Sequence, residues 1–321
     1  MNTFPTLLKR EFWEHKGGML WAPVVVGGLM LGAAGISAAI GIAAKDGDIQ
    51  VNGERIITDG TVLATQTQQQ IAEGLAFAIV PSMAPLAAVL AFVVLFYALG
   101  SLYDDRRDRS ILFWKSMPVS NTATVLSKLV SMAVVTPLIA TLVGIVVGTL
   151  VAVIAALTMS AFGASVLPKL LGTSEFYLAP LAVLAVIPVY ALWALPSIAW
   201  CMVVSAWAKR APFLWAVGTP VLAGILLSWQ QAMFDRSLGA EWFWENIVGR
   251  LFGSFLPGMW FAFSGNAERV DDFQPTDQSV FELVSMSYAS LTSPSLWIGI
   301  AVAGALIAVA IRLRRWREDA A

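Results

Sequence analysis

The sequence predicts an all-α membrane protein with six transmembrane helices. It also predicts an N-terminal interfacial helix, a short cytoplasmic helix between spans 2 and 3, and an outer re-entrant or interfacial helix before span 6. Three observations carry this expectation. Apolar residues make up 58% of the 321-residue chain and charged ones only 13%, against about 25% charged in an ordinary soluble protein. Several apolar runs exceed the ~20 residues a helix needs to cross ~30 Å of hydrocarbon. The Lys/Arg residues collect on one side of the resulting topology, as cytoplasmic loops require.

The spans read as 19–44, 75–102, 125–157, 178–207, 213–229 and 294–313. Ahead of them lies "MNTFPTLLKREFWEHKGG", residues 1–18. Phe4, Leu7, Leu8 and Phe12 fall near helical spacing there, with Lys9, Arg10, Glu11 and Glu14 between them. This pattern predicts an amphipathic helix lying among lipid headgroups. With the N-terminus in the cytoplasm, fourteen of the twenty basic residues fall inside, and fourteen of the twenty-one acids fall outside. Both termini are then cytoplasmic, in keeping with an even number of spans. A cleaved signal peptide is the rival reading of the first forty residues, but the apolar run is too long for an h-region and acids sit in the n-region.

Two outer segments differ in character. Residues 45–74 are polar, with Asn-Gly and Asp-Gly turn signals. Residues 230–293 begin with an aromatic stretch in which Phe243, Ile247, Leu251 and Phe255 recur every four positions. A Pro257–Gly258 break ends that helix, and an acidic stretch follows. No internal repeat is visible, and the whole chain, 1–321, reads as one transmembrane domain.

Constellations for catalysis are nearly absent. His15 is the only histidine, too few for a His triad or a His-based zinc site. Cys201 is the only cysteine, read as a small buried or lipid-facing thiol. No G-x-x-x-x-G-K-[ST] occurs, so ATP, if used, is bound by another chain. The net charge of −1 argues for no nucleic-acid partner. Within the spans Glu73 and Lys128 lie at the edges, placed there by snorkelling, which leaves little buried charge for an ion-coupled carrier. Pro81, Pro85, Pro137, Pro180, Pro188, Pro196 and Pro220 predict kinks in the spans. Gly28 with Gly32, and Gly144 with Gly148, suit close helix approach.

The segment "DDRRDRSILFWKSMPVSN", 104–121, carries seven charges between two apolar runs. Asp108 or Ser110 can cap a short helix from Ile111, with Pro118 ending it. Ile111, Leu112, Trp114 and Met117 would give this helix an apolar, aromatic face. Flanked by Asp105, Arg106, Arg107 and Asp108, it has the make-up of a docking surface for a soluble partner.

Residues 105–120, with Lys128 eight positions on, resemble the coupling segment of ABC-2 type permeases. These are membrane subunits of ATP-binding cassette exporters with the type V exporter fold. Asp105 and Arg106 match the acid-Arg pair of the family pattern, Ser110 its Thr, and Met117, Pro118 and Ser120 its Leu-Pro-x-Ser. Arg109 stands where the family has Gly, and Lys115 where an apolar residue is common. The resemblance implies a coupling helix within residues 103–124 that fits a groove on the partner. That partner would be a separate ATPase subunit, two per complex, holding ATP and Mg, with no cofactor in this chain. It also implies a second permease copy, the N-terminal helix touching the ATPase, and a multi-pass place in a bacterial inner membrane. Export of an amphipathic or hydrophobic cargo would be the activity. A membrane scaffold that docks a cytoplasmic partner is the alternative, with a secondary transporter or a lipid-acting enzyme further behind.

Overall fold

The structure, a computed structural model, describes residues 3–44, 48–51, 54–57, 65–108, 120–234, 239–265 and 280–318. Apart from short turns, these are helical, with a small antiparallel pair of strands, β1 (Asp48–Val51) and β2 (Glu54–Ile57), in which Asp48 pairs with Ile57 and Val51 with Glu54.

Six helices are long and apolar enough to cross a membrane: Gly17–Ala44, Ala84–Arg107, Asn121–Ala161, Ser174–Trp207, Pro212–Met233 and Pro294–Trp316. The chain is a multi-pass membrane protein, and these helices are called spans 1 to 6 below. Leu29 and Ile36 on span 1 and Leu214 and Leu222 on span 5 face outward. Apolar exposure on that scale is costly in water and free of cost in hydrocarbon.

Proline sets where the helical rods are divided, because each one lacks an N–H and its ring collides with the carbonyl four residues back. The apolar run from Leu75 is accordingly three pieces: α3 (Thr65–Phe77), α4 (Ile79–Ser82) and α5 (Ala84–Gly100). Pro81 lies in the middle piece and Pro85 in the first turn of α5. Span 4 divides at Val186 into α10 (Ser174–Ala185) and α11 (Ile187–Trp207), with Pro188 just after the break. Span 3 runs as α7 (Asn121–Val130), a π-helical turn (Ser131–Val135) and α8 (Thr136–Ala161), with Pro137 next to the turn. There the Thr136 hydroxyl donates to the Ser131 carbonyl at 2.9 Å, occupying an acceptor at the widened turn. Pro180, Pro196 and Pro220 lie inside continuous helices.

Spans 4 and 6 pack along one another, as do spans 1 and 3. The main core joins Leu90 and Val94 of span 2, Met132 of span 3, Trp193 and Ile198 of span 4, and Leu296 of span 6. Close approach occurs at Gly27, where a Cβ would lie 2.6 Å from Val147, and at Gly148, where it would lie 3.0 Å from the Ile79 carbonyl oxygen. A Cβ at Gly144 would collide with Met83. Gly28 and Gly32, expected at a contact, have open space around them. The sequence pattern was right about the second pair and one residue out of phase about the first.

The helical stretch from Ala240 to Gly253 comprises α13 (Ala240–Phe243), a π-helical turn (Trp244–Gly249) and α14 (Arg250–Gly253). It lies against span 5, where the Trp244 indole donates to Ser228 Oγ at 3.0 Å and fills the space over Gly224. Gly258, at φ +93°, turns the chain before α15 (Trp260–Phe263), a backbone angle that glycine adopts freely. Of the expected apolar stripe, Phe255 is buried and Ile247 is exposed. The helix α16 (Val280–Ala289) then leads into span 6.

Replacing Gly148 by Val forces bulk against a backbone carbonyl and is expected to destabilise by about 1–3 kcal/mol. Gly28→Val, in open space, is the control. Thermal melting of the detergent-solubilised protein checks this, and equal melting of the two variants contradicts the packing.

Candidate functional site

The most unusual feature of the bundle is a file of four buried charges at the end that carries Lys128. Helix α1 (Thr3–Glu14) turns Leu7 inward and, one turn later, Glu11, which is 0% exposed. Glu11 Oε2 accepts from Tyr97 Oη of span 2 at 2.7 Å and from Lys128 Nζ of span 3 at 3.2 Å. Lys128 Nζ, 1% exposed, also reaches Asp105 Oδ1 at 3.4 Å. Asp105 Oδ2 accepts in turn from Arg314 Nη1 of span 6 at 3.3 Å. The charges alternate, Glu11, Lys128, Asp105, Arg314, so the two acids and two bases cancel. Alternation is what makes the burial tolerable, because an isolated ion at this depth is prohibitively costly.

Local structure delivers each member. Ser120 caps α7, its Oγ accepting from the Ala123 N–H at 3.1 Å, and so starts the helix that carries Lys128. Asp105 comes from the short helix α6 (Tyr103–Arg107) at the end of span 2. The next residue, Arg106, reaches the end of span 4, donating from Nη2 to the carbonyls of Ser205 and Ala208. A cation among the last carbonyls of a helix fills orphan acceptors and complements the negative end of its dipole. Ser205 Oγ accepts from the Leu102 and Tyr103 amides at 3.0 and 2.9 Å, completing the clamp between spans 2 and 4.

The residues expected at a docking surface therefore part company. Asp105 is buried and Arg106 is bound to span 4, whereas Arg107 and Asp108 are exposed and pair with each other at 3.2 Å. Ser110, Ile111, Trp114, Met117 and Pro118 lie outside the described residues. Lys128, expected to snorkel at the edge of its span, is buried and paired. Glu11, expected on the polar face of α1, is the most buried member of the cluster. Hydropathy alone cannot find this set, since its bonded pairs are separated by 23 to 209 positions along the chain. The available signal was one lysine at the start of an apolar run, with acids in two segments assigned to the same side.

His15, one turn after Glu11, is half-buried with its ring edge-on to Tyr97, centroids 4.2 Å apart. Burial pushes its pKa below 6.5, opposed by nearby Glu11, Glu14 and Asp104 and assisted by Lys128. Among the described residues no group of three or more His, Cys, Asp or Glu side chains could hold a metal. The cluster is suited to fixing helix ends against one another. Comparison with protein-family models, curated proteins and solved structures finds no match to the chain.

Lys128→Met leaves Glu11 without its cation and is expected to cost roughly 3–5 kcal/mol. Adding Glu11→Gln should recover part of that loss, because Asp105 keeps Arg314. A double-mutant cycle on chemical unfolding measures the coupling, and strict additivity contradicts it.

His15 is held neutral in the folded protein, so its contribution is fully present above the unfolded pKa of about 6.5 and is lost as pH falls. Melting should drop below that pH, and less so in His15→Phe. Parallel pH profiles of the two proteins would remove His15 from the account.

Proposed function

We propose that the chain is the membrane permease subunit of an ATP-driven exporter of the ABC-2 type. A separate ATPase subunit, two per complex, holds ATP and Mg and supplies the energy. Two permease copies form the membrane unit, set in the cell membrane with both termini on the ATPase side. The permease itself performs no hydrolysis, and the cargo is amphipathic or hydrophobic.

The observation that carries this reading is the anchoring of the acid-Arg pair. Asp105 is tied to spans 3 and 6, and Arg106 to span 4, immediately before the segment 109–119. Arg107 and Asp108, next in sequence, are exposed. A force applied to that segment would therefore reach three spans through these contacts. In this scheme the segment 110–117, outside the described residues, is the part that couples to the ATPase, α1 is interfacial with its buried face on the cluster, and 240–253 is the re-entrant or interfacial element of the outer side.

The experiment is co-purification with the ATPase subunit, followed by Trp114→Ala combined with Arg107→Glu. Loss of an aromatic anchor and reversal of an exposed charge should weaken the complex by roughly tenfold or more and uncouple ATP hydrolysis from transport. Normal coupling in this variant, or ATP hydrolysis by the permease alone, contradicts the assignment. A docked partner with no nucleotide-binding motif would make the chain a scaffold instead.

A further inference from the structure

A cavity of about 420 Å³ lies between spans 4, 5 and 6 and the 240–253 stretch. Its wall on span 6 ends at Leu306, eight positions before Arg314, or about 12 Å at 1.5 Å per residue. It is thus separate from the charge cluster. Pro196, Trp200, Pro220, Ala223 and Val302 make it apolar, and Arg250 is the single charged residue lining it among the described residues.

Arg250 is held from one side only. Its Nη1 donates to the Ser295 carbonyl at 2.7 Å, and the guanidinium stands 4.8 Å over the Trp193 ring. Its Nε and Nη2 are buried without a hydrogen-bond acceptor, and no carboxylate pairs with it among the described residues. Gly299 leaves the room that Nη2 occupies, since a Cβ there would lie 2.4 Å from it. The other polar lining groups already have partners: Ser197 Oγ donates to the Arg250 carbonyl, Thr219 Oγ1 to that of Trp215, and Asn246 Nδ2 to that of Trp242.

The guanidinium donates to Ser295, the second residue of span 6, and its Nη2 lies beside Gly299, about 6 Å further along that helix. A cation with no carboxylate partner among the described residues, set against apolar helices, is expensive and marks a functional position. Its free N–H groups call for an anionic oxygen, while the walls call for hydrocarbon. Ile298 and Val302 on the cavity rim are outward-facing, so the groove opens on the lipid-facing side of the bundle.

The geometry points to a binding site for one anionic phospholipid, its phosphate on Arg250 Nε and Nη2 and an acyl chain along the groove. Guanidinium and phosphate match in charge and in fork geometry. This assignment does not rest on the exporter reading, because it is measured on the permease chain alone.

The test reconstitutes the full chain in nanodiscs of phosphatidylcholine with one-fifth phosphatidylglycerol, then counts retained lipid by native mass spectrometry after transfer to detergent. The wild type should retain one phosphatidylglycerol, preferred over phosphatidylcholine by about tenfold. Arg250→Gln should abolish the preference, and Arg250→Lys should keep part of it. Ala223→Trp, which fills the groove and leaves the guanidinium in place, should expel the lipid, and it serves if Arg250→Gln does not fold. Equal retention of the two lipids by the wild type overturns the site, as does unchanged phosphatidylglycerol retention in Ala223→Trp. Displacement of the phosphatidylglycerol by inorganic phosphate alone would show a plain anion site and overturn the lipid assignment.

Discussion

Lys128 sits between two carboxylates from different segments with almost no water contact, and much of one end of the molecule follows from that. A buried ammonium needs counter-charge within a few ångströms, and the low dielectric that makes it costly alone makes its pairings directional and strong. Satisfying it brings α1 down onto span 3 through Glu11 and draws the end of span 2 inward through Asp105. Asp105 in turn sets the position of span 6 through Arg314. Four parts of the chain are thereby fixed to one nitrogen.

Away from that end the spans behave as jointed rods. The breaks at Ala78, Met83 and Val186 and the π-helical turn after Val130 all lie beside prolines. Polar contacts join the spans at the charged end and again around the 240–253 stretch. Span 4 takes part in both: Arg106 holds its final carbonyls, and its Ser197 bonds the backbone of Arg250. Span 6 does the same through Arg314 and Ser295. These two spans, packed along one another, provide a continuous path between the charged end and the groove.

Span number and order were legible in the sequence because both follow from apolar run length, a local property. The positions of the helix breaks were partly legible, since proline acts on its own turn. The distinction between Pro188 at a break and Pro196 within a continuous helix was not, because neighbouring spans decide it. The charge cluster was the least legible feature. Glu11 looks like any polar-face acid in an amphipathic helix, and only the fold reveals that its turn faces Lys128. Arg250 likewise appears in sequence as one basic residue in an aromatic stretch, and its lack of an acid partner among the described residues is visible only in three dimensions. The part of the proposed docking segment most legible in sequence, 110–118, lies outside the described residues.

The arrangement of the cluster also dictates an order of assembly during synthesis. Glu11 is made first, yet its cation arrives 117 residues later, so α1 has no seat until span 3 has entered the bilayer. Asp105 finds Lys128 at the same stage but waits a further 186 positions beyond Lys128 for Arg314, the last base of the set. Until then two carboxylates face a single ammonium. Closure by span 6 is the first moment at which the charges balance. A chain stopped short of that point carries an uncompensated negative charge, a chemical mark by which an unfinished product differs from a complete one.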